Sequence, residues 1–559
     1  MEIALESAIP TYSGGLGVLA GDTLRSAADL SVPMAGITLL ARKGYFRQRL
    51  DGAGNQAEEP EAWDPADHFE LLPRRAAISL EGRQVQIAAW RYLVRGLSGS
   101  VVPVYLLDAA LPENDPQDRD LTDYLYGGDQ RYRLRQEALL GLGGLEMLDV
   151  VGHGEIGIYH MNEGHSSLLT LGLLKRRLQA RNALEPTPDD ISAVRAQCVF
   201  TTHTPVPAGH DKFPCEMASR ILGDADVELL HSCAGLDGYL NMTYVALRFS
   251  HYVNGVAMHH GEVSRGMFPS YPVHAITNGV HAMTWTSPPF QALYDRHVPE
   301  WRRDNRYLRY AIGIPPEEIV QAHQLSKQRL LEKVRSSTGV SLDEKALTIG
   351  FARRATQYKR PHLLFSSLDR LKWIAANVGP LQVLYAGKAH PADNGGKEAI
   401  RTVFEAAAAL RGVIPVHYLE NYDMEWAKLL TGGVDLWLNT PQRPQEASGT
   451  SGMKASLNGV PSLSILDGWW IEGCIEGVTG WAIGSEELPL DDAKDEIDSL
   501  YLKLESVIVP MYYGHPKRFG EIMRSAITFN GSFFNTERMV EQYLMNAYSE
   551  DRPQSAASV

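Results

Sequence analysis

The sequence predicts an α/β protein of two doubly wound domains whose polar strand ends face a shared cleft. Three observations carry this reading: the length, a recurring alternation of strands and helices, and strands that keep ending in chemistry-bearing residues. A chain of 559 residues is too long for one core, so two domains or more are expected. Short apolar runs alternate with helical stretches, and strands joined by helical crossovers make parallel sheets that bind ligands beyond their carboxyl ends.

The strand ends follow in order. Glu155-Ile156-Gly157-Ile158-Tyr159 leads to His160-Met161-Asn162-Glu163-Gly164-His165, and Gln197-Cys198-Val199-Phe200 to Thr201-Thr202-His203-Thr204. Val273-His274-Ala275-Ile276 leads to Thr277-Asn278-Gly279. In the second half, Val383-Leu384-Tyr385-Ala386 leads to Gly387-Lys388, and Val434-Asp435-Leu436-Trp437-Leu438 to Asn439-Thr440-Pro441. Singly, each histidine or asparagine reads as a cap or a satisfied core residue. Their recurrence at strand ends is the stronger signal.

Ahead of these, Tyr12-Ser13-Gly14-Gly15-Leu16-Gly17 opens a stretch of helical spacing from Val18 to Leu30. A glycine loop opening a helix offers free N–H groups and the positive end of the dipole, although a tight turn into a helix explains it equally well. It is not the full dinucleotide fingerprint, so a nicotinamide cofactor has little support.

Two segments of the second half carry anion chemistry. Leu347-Thr348-Ile349-Gly350-Phe351-Ala352 reads as a buried strand and runs into Arg353-Arg354-Ala355-Thr356-Gln357-Tyr358-Lys359-Arg360, four cations in eight residues. Arg offers phosphate a bidentate fork and Lys a compact charge, so the segment suits a phosphate pocket; a solvated charge run is the alternative. In Glu446-Ala447-Ser448-Gly449-Thr450-Ser451-Gly452-Met453-Lys454, hydroxyls and glycines stand just before one lysine. Such a cradle can grip a phosphate while the lysine bonds an aldehyde, and pyridoxal phosphate carries both groups. A polar surface turn is the alternative. Towards the end, Thr536 to Met545 has an amphipathic helical pattern, and a polar tail follows from about Asp551.

Composition narrows the classes. Lys plus Arg total 53 against 67 Asp plus Glu, a net charge of −14, which argues against nucleic acid or an anionic membrane as main partner. The four cysteines are scattered and read as reduced thiols of a cytosolic protein. No apolar run reaches the length of a membrane span, and no signal sequence opens the chain, so a cytoplasmic location is expected. His259-His260, and His160 with His165, lack the spacing of a helical zinc pair, and no metal is expected. No phosphate loop ending in Gly-Lys-Ser/Thr occurs, so nucleotide triphosphatase activity is unsupported.

Together these segments resemble the α-glucan (glycogen, starch and maltodextrin) phosphorylases, above all their shorter bacterial and archaeal members. The residues that carry the resemblance run in order from about Tyr12 to Asp467 and include Gly14-Gly15-Leu16-Gly17, Thr202-His203-Thr204 and Thr277-Asn278-Gly279. They continue with Arg354, Tyr358-Lys359-Arg360, Leu419-Glu420-Asn421-Tyr422, Glu446 to Thr450, Met453-Lys454 and Asn458-Gly459.

The resemblance implies a GT-B-like fold of two Rossmann-like domains with an interdomain active-site cleft. The N-terminal domain would span 1–280 and the C-terminal domain 281–530; a C-terminal helix and tail, 531–559, would pack back on the first. Pyridoxal 5'-phosphate would be held covalently at Lys454, with Gly449, Thr450, Ser451, Arg353, Trp285 and Tyr422 around its phosphate or ring. Its phosphate, not its aldehyde, would move protons. Arg354 and Lys359 would bind the substrate phosphate and act in catalysis with His203. The Gly15-Leu16 backbone, His203, Asn278, Tyr358, Glu446, Ser448 and Gly449 would hold the terminal glucose.

The implied reaction is reversible phosphorolysis of an α-1,4-glucan or maltodextrin by inorganic phosphate to glucose 1-phosphate, with retention. The family's habit of forming homodimers is carried over as an expectation. Phosphorylation and nucleotide-effector segments have no visible counterpart, so no such regulation is expected. Departures from the longer members include Arg at 353, Ala-Thr-Gln at 355–357 and Gly at 452. The resemblance also places Met1-Glu2-Ile3-Ala4-Leu5 inside the first strand of the N-terminal sheet, where family members carry residues before it, so a true start upstream is expected. Two alternatives stay open: a nucleotide-sugar-dependent GT-B glucosyltransferase, which has no use for Lys454, and a non-catalytic glucan-binding relative.

Overall fold

A computed structural model describes residues 1–206, 209–485 and 493–549; the polar tail expected from about Asp551 lies outside them. These residues form a mixed α/β protein with parallel sheets, divided into two compact units. Of the described residues, the first holds those within 1–45, 60–276 and 540–549, and the second those within 46–59 and 277–539. Among the described residues no helix is long and apolar enough to cross a membrane.

In the first unit the strands fall into separate sheets. A mixed sheet is built on the long antiparallel pair Arg83–Arg95 and Val101–Asp108. Helix α1, Gly15–Asp29, covers it, burying Leu24, Ala27 and Ala28 against Trp90, Val102, Val104 and Leu106. These buried helix positions recur at the spacing that puts one face of a helix on a core. The other sheet, all parallel, contains β1 (Tyr159–Asn162), β2 (Cys198–Thr201), β3 (Tyr252–Gly255) and β4 (His274–Ala275), ordered β4-β3-β2-β1.

The strand expected at Met1–Leu5 does not form. That segment is buried, but it pairs with no strand among the described residues. Its backbone is satisfied locally instead: Ile3 N–H donates to Thr11 C=O at 3.1 Å and Ala4 N–H to Gly17 C=O at 2.8 Å. An added Cβ at Gly21 would lie 2.0 Å from the Ala4 carbonyl oxygen, so α1 approaches this segment too closely for any side chain there.

The second unit is organised around one parallel sheet. Helix α2, Pro316–Thr338, starts on a proline and two glutamates and ends on a left-handed Gly339, as helix ends favour. After it come β5 (Leu347–Ala352), β6 (Leu381–Ala386), β7 (Val416–Leu419) and β8 (Leu436–Asn439). The short helix α3 (Ser451–Ser456), β9 (Ser462–Ile465) and β10 (Gly480–Ile483) complete the series. The order across the sheet is β7-β6-β5-β8-β9-β10, every neighbouring pair parallel. Within the unit this is strand order 3-2-1-4-5-6, the doubly wound arrangement with a switch point between its first and fourth strands. The strands β5 and β6 are buried throughout, as a sheet covered on both faces requires.

A hairpin of Arg47–Leu50 and Gln56–Glu59 also belongs to this unit. Gln48, fully buried, donates to the Gly387 carbonyl at 2.8 Å and accepts from the Asn421 N–H at 3.0 Å. Gln56 pairs with the backbone of Ala389 in both directions, at 2.8 and 2.9 Å.

Candidate active site

The switch point puts the carboxyl ends of β5 and β8 side by side, with their connections leaving in opposite directions. Arg353 follows β5, and Asn439 ends β8. The Arg353 guanidinium donates to Asn439 Oδ1, and Asn439 Nδ2 in turn donates to Ser464 Oγ at 3.0 Å. Arg353 also stands 3.0 Å from Glu446 Oε2, the oxygen that pairs with the Lys359 ammonium. The ammonium lies 4.4 Å from the centroid of the Tyr358 ring.

This cluster is buried, so its charges are weakly screened. Burial pulls Lys359 down to about 7; Arg353 adds to the fall and Glu446 opposes it. Burial alone would raise Glu446, but Arg353 and Lys359 hold it below the usual carboxylate range. Asp467 is pushed up to about 7, by burial first and by the charge on Glu446 as well. Arg354 is exposed, and among the described residues it makes neither a hydrogen bond nor an ion pair. With Arg353, Lys359, Tyr385 and Tyr418 it lines a small cavity. Arg353 and Lys359 share the one carboxylate of Glu446, and Arg354 on the same cavity has no carboxylate of its own among the described residues.

The loop that follows Glu446 leads into α3. Gly449 takes a left-handed φ of +76°, which favours glycine. Ser451 Oγ accepts from Trp437 Nε1 at 3.1 Å, so the hydroxyl hydrogen remains to donate. Lys454, 6% exposed, points its ammonium at the Trp285 ring, 3.7 Å from the centroid. An added Cβ at Gly452 would lie 2.6 Å from the Trp469 ring, so packing requires glycine at that departure from the longer relatives. A buried lysine on a flat aromatic, preceded by small hydroxyl residues, suits a planar aldehyde that carries a phosphate. Tyr422 is close enough for the charge on Arg353 to oppose the rise that burial imposes on its phenol.

Asn278 is buried in the loop after Ile276, and its Oδ1 finds no partner among the described residues. Arg538 fixes this loop by donating to the carbonyls of Thr277 and Asn278, at 2.6 and 2.9 Å. Such an acceptor is costly unless a ligand donor meets it.

In the first unit, the ends of β1 and β2 gather around His203. Its Nε2 is 2.6 Å from Asn162 Oδ1, which puts the hydrogen of the neutral ring on Nε2. Its backbone N–H donates to Glu163 Oε2 at 2.7 Å, and Thr204 Oγ1 donates to the same oxygen at 3.1 Å. Glu163 holds φ at +75°, uncommon for a residue with a side chain. Burial pulls His203 down to about 3, with His260 and His160 adding to the fall. The glycine loop already meets one anion of the protein itself. Glu2 Oε2 accepts from the N–H groups of Ser13 and Gly14, the latter at 3.2 Å, while Gly15 is exposed at the first position of α1.

The carbohydrate phosphorylase family profile matches residues 211–480. The chain is 38% identical to a maltodextrin phosphorylase of Thermococcus litoralis, over 98% of this chain and 70% of that protein. It is 36% identical to a glycogen phosphorylase of Mycobacterium tuberculosis, with the same coverages. The chain belongs to the carbohydrate phosphorylase family. A glycogen phosphorylase of Aquifex aeolicus is 35% identical over 98% of the chain and 85% of its own length.

The span matched by the phosphorylase profile contains Arg353, Lys359, Glu446 and Lys454, whereas His203 and the glycine loop precede it. Several residues that brace the candidate groups within each unit were not singled out from sequence. Asn439 was named only as a strand end, yet it orients Arg353. Glu163 and Asn162 brace His203, and only their place after a strand hinted at it. Glu2 holds the glycine loop and Asp467 the loop of Glu446; neither lies in a local pattern that announces such a partner.

Proposed function

We propose that the protein is an α-1,4-glucan phosphorylase, a glycosyltransferase that moves the non-reducing-end glucose of an α-1,4-glucan or maltodextrin onto inorganic phosphate. The product is α-D-glucose 1-phosphate, formed reversibly and with retention. The observation that carries this reading is the Arg353–Glu446–Lys359 cluster at the switch point, in the same unit as the buried Lys454, in a chain whose relatives are named maltodextrin and glycogen phosphorylases.

In this reading Lys454 holds pyridoxal 5'-phosphate covalently, with Trp285 and Tyr422 along its ring and Gly449, Thr450, Ser451 and Arg353 about its phosphate. When bound, that group supplies a phosphate able to give and take a proton near neutral pH. Arg354 and Lys359 bind the substrate phosphate, and their charge offsets the repulsion between two phosphates held close together. Glu446, kept ionised, accepts from a sugar hydroxyl; Ser448, Gly449, Tyr358 and Asn278 complete the glucose contacts. The neutral His203 and the Gly15-Leu16 backbone serve the sugar from the first unit without adding charge.

The two units, in this reading, are the halves of a GT-B fold, divided near 280 with the chain after about 530 returning to the first. Phosphate rather than water must take the glucosyl group, so the reaction requires water to be kept from it. The resemblance and the placement of both residue sets at carboxyl strand ends support this arrangement.

The test is glucose 1-phosphate release from maltodextrin and phosphate, with the absorption spectrum taken beforehand. Phosphate-dependent release and a cofactor band are expected, and both should vanish in Lys454→Ala. A folded protein given pyridoxal phosphate that shows neither band nor turnover would sink the reading.

A further inference from the structure

We infer that Asp467, with the Gly468-Trp469 turn after it, is the positioning residue that holds the Glu446–Gly449 loop in its ligand-binding shape. The inference rests on the proposed function for what that loop binds, and on geometry alone for how the loop is held.

Asp467 stands two residues beyond the end of β9 and is 1% exposed. Both carboxylate oxygens are committed to backbone. Oδ2 accepts the Glu446 N–H at 2.9 Å, and Oδ1 accepts the Gly468 N–H at 2.9 Å. The next two residues grip the other end of the loop. Gly468 sits at φ +55°, and an added Cβ there would lie 2.3 Å from the Ser448 carbonyl oxygen. Trp469 N–H donates to that same oxygen at 2.9 Å. The Trp469 indole then reaches the Cα face of Gly452 and lies 3.5 Å from where a Cβ of Gly449 would stand.

Three consecutive residues thus template the loop, one by side chain and two by backbone. A carboxylate suits the task because it offers an acceptor on each side, whereas an amide would turn an N–H towards one of the two donors. Asp467 is placed to shape the site without touching a ligand. The charged groups that act on it are Glu446 and Lys359.

The test compares cofactor-loaded wild type with Asp467→Asn by hydrogen exchange and by kinetics in the glucose 1-phosphate direction. Amides of residues 445–452 are expected to exchange about tenfold faster in the variant, with those of α2 unchanged. KM for glucose 1-phosphate is expected to rise about tenfold while kcat moves less than about threefold. Unchanged loop exchange, or a lower Tm with KM unaltered, would overturn the inference. Should Asp467→Asn fail to fold, Asp467→Glu keeps the charge but overshoots by one methylene, and the same two shifts are expected of it. Wild type without turnover but with the exchange effect present would defeat the functional reading and leave the loop inference standing. An active wild type whose variant shows neither shift would do the reverse.

Discussion

The strand ends of the two units carry opposite electrostatics. In the second unit Arg353 and Lys359 crowd around Glu446, with Arg354 on the same cavity, and Lys359 and Asp467 both sit at about 7. In the first unit charge is suppressed: His203 falls to about 3, His160 and His260 to about 4, and burial raises the Glu163 carboxyl. Burial acts on both groups of residues, but cations hold the carboxylate below its ordinary range at Glu446, whereas Glu163 beside His203 is raised. One region is therefore built for anions. The other offers neutral donors and acceptors, which is what a sugar hydroxyl needs. That division matches a reaction joining a dianion to an uncharged glucan.

The comparison breaks most visibly at Lys359. Lys359→Met removes a cation and leaves Glu446 with Arg353 alone, and kcat/KM for phosphate should fall about 10³-fold. A fall of less than about fivefold would mean that the cluster is structural. His203→Ala should be milder, about 10²-fold in kcat/KM for maltodextrin, with little change in KM for phosphate. Because His203 stays neutral down to about 3, both limbs of the pH profile between 5 and 8 should survive in that variant. Loss of one limb would show that His203 titrates in the working range and that the first unit is not charge-free.

What the sequence made legible follows physical range. Lys454, its glycines and its hydroxyls lie within nine residues, and the cations of 353–360 within eight, so local pattern revealed them. The chain order of the β strands, with polar ends, was legible for the same reason. Contacts closed by the fold were not. Arg353 meets Asn439 across 86 residues, and Gln48 meets Asn421 across 373, in a hairpin the sequence did not assign to the second unit. Met1–Leu5 was expected to be a strand on the family resemblance, but its backbone partners lie in the turn before α1 and in α1 itself, a choice that the resemblance does not signal. Glu163 carries its strain in φ, which composition does not reveal.

The smallest expected effect is thermal, and it sharpens the contrast with a probe of constant charge. Sulfate stays a dianion from pH 6 to 9, unlike phosphate. As pH falls through about 7, Lys359 gains its positive charge and Asp467 loses its negative one, so both changes favour an anion in the second unit. Without sulfate the signs differ. Lys359 is lowered in the folded state, so its contribution to stability improves as pH rises from about 7 towards the ordinary lysine range. Asp467 is raised, so its contribution weakens as pH rises from the ordinary carboxylate range to about 7. Sulfate at one fixed concentration, about ten times its dissociation constant at pH 6.5, should therefore raise Tm by about 2 °C at that pH, against chloride of equal ionic strength, and by clearly less at pH 8.5. Differential scanning calorimetry reads the shift. In Lys359→Met the pH dependence should shrink to the share owed to Asp467. A shift equal at both pH values in wild type would place the sulfate elsewhere than beside Lys359.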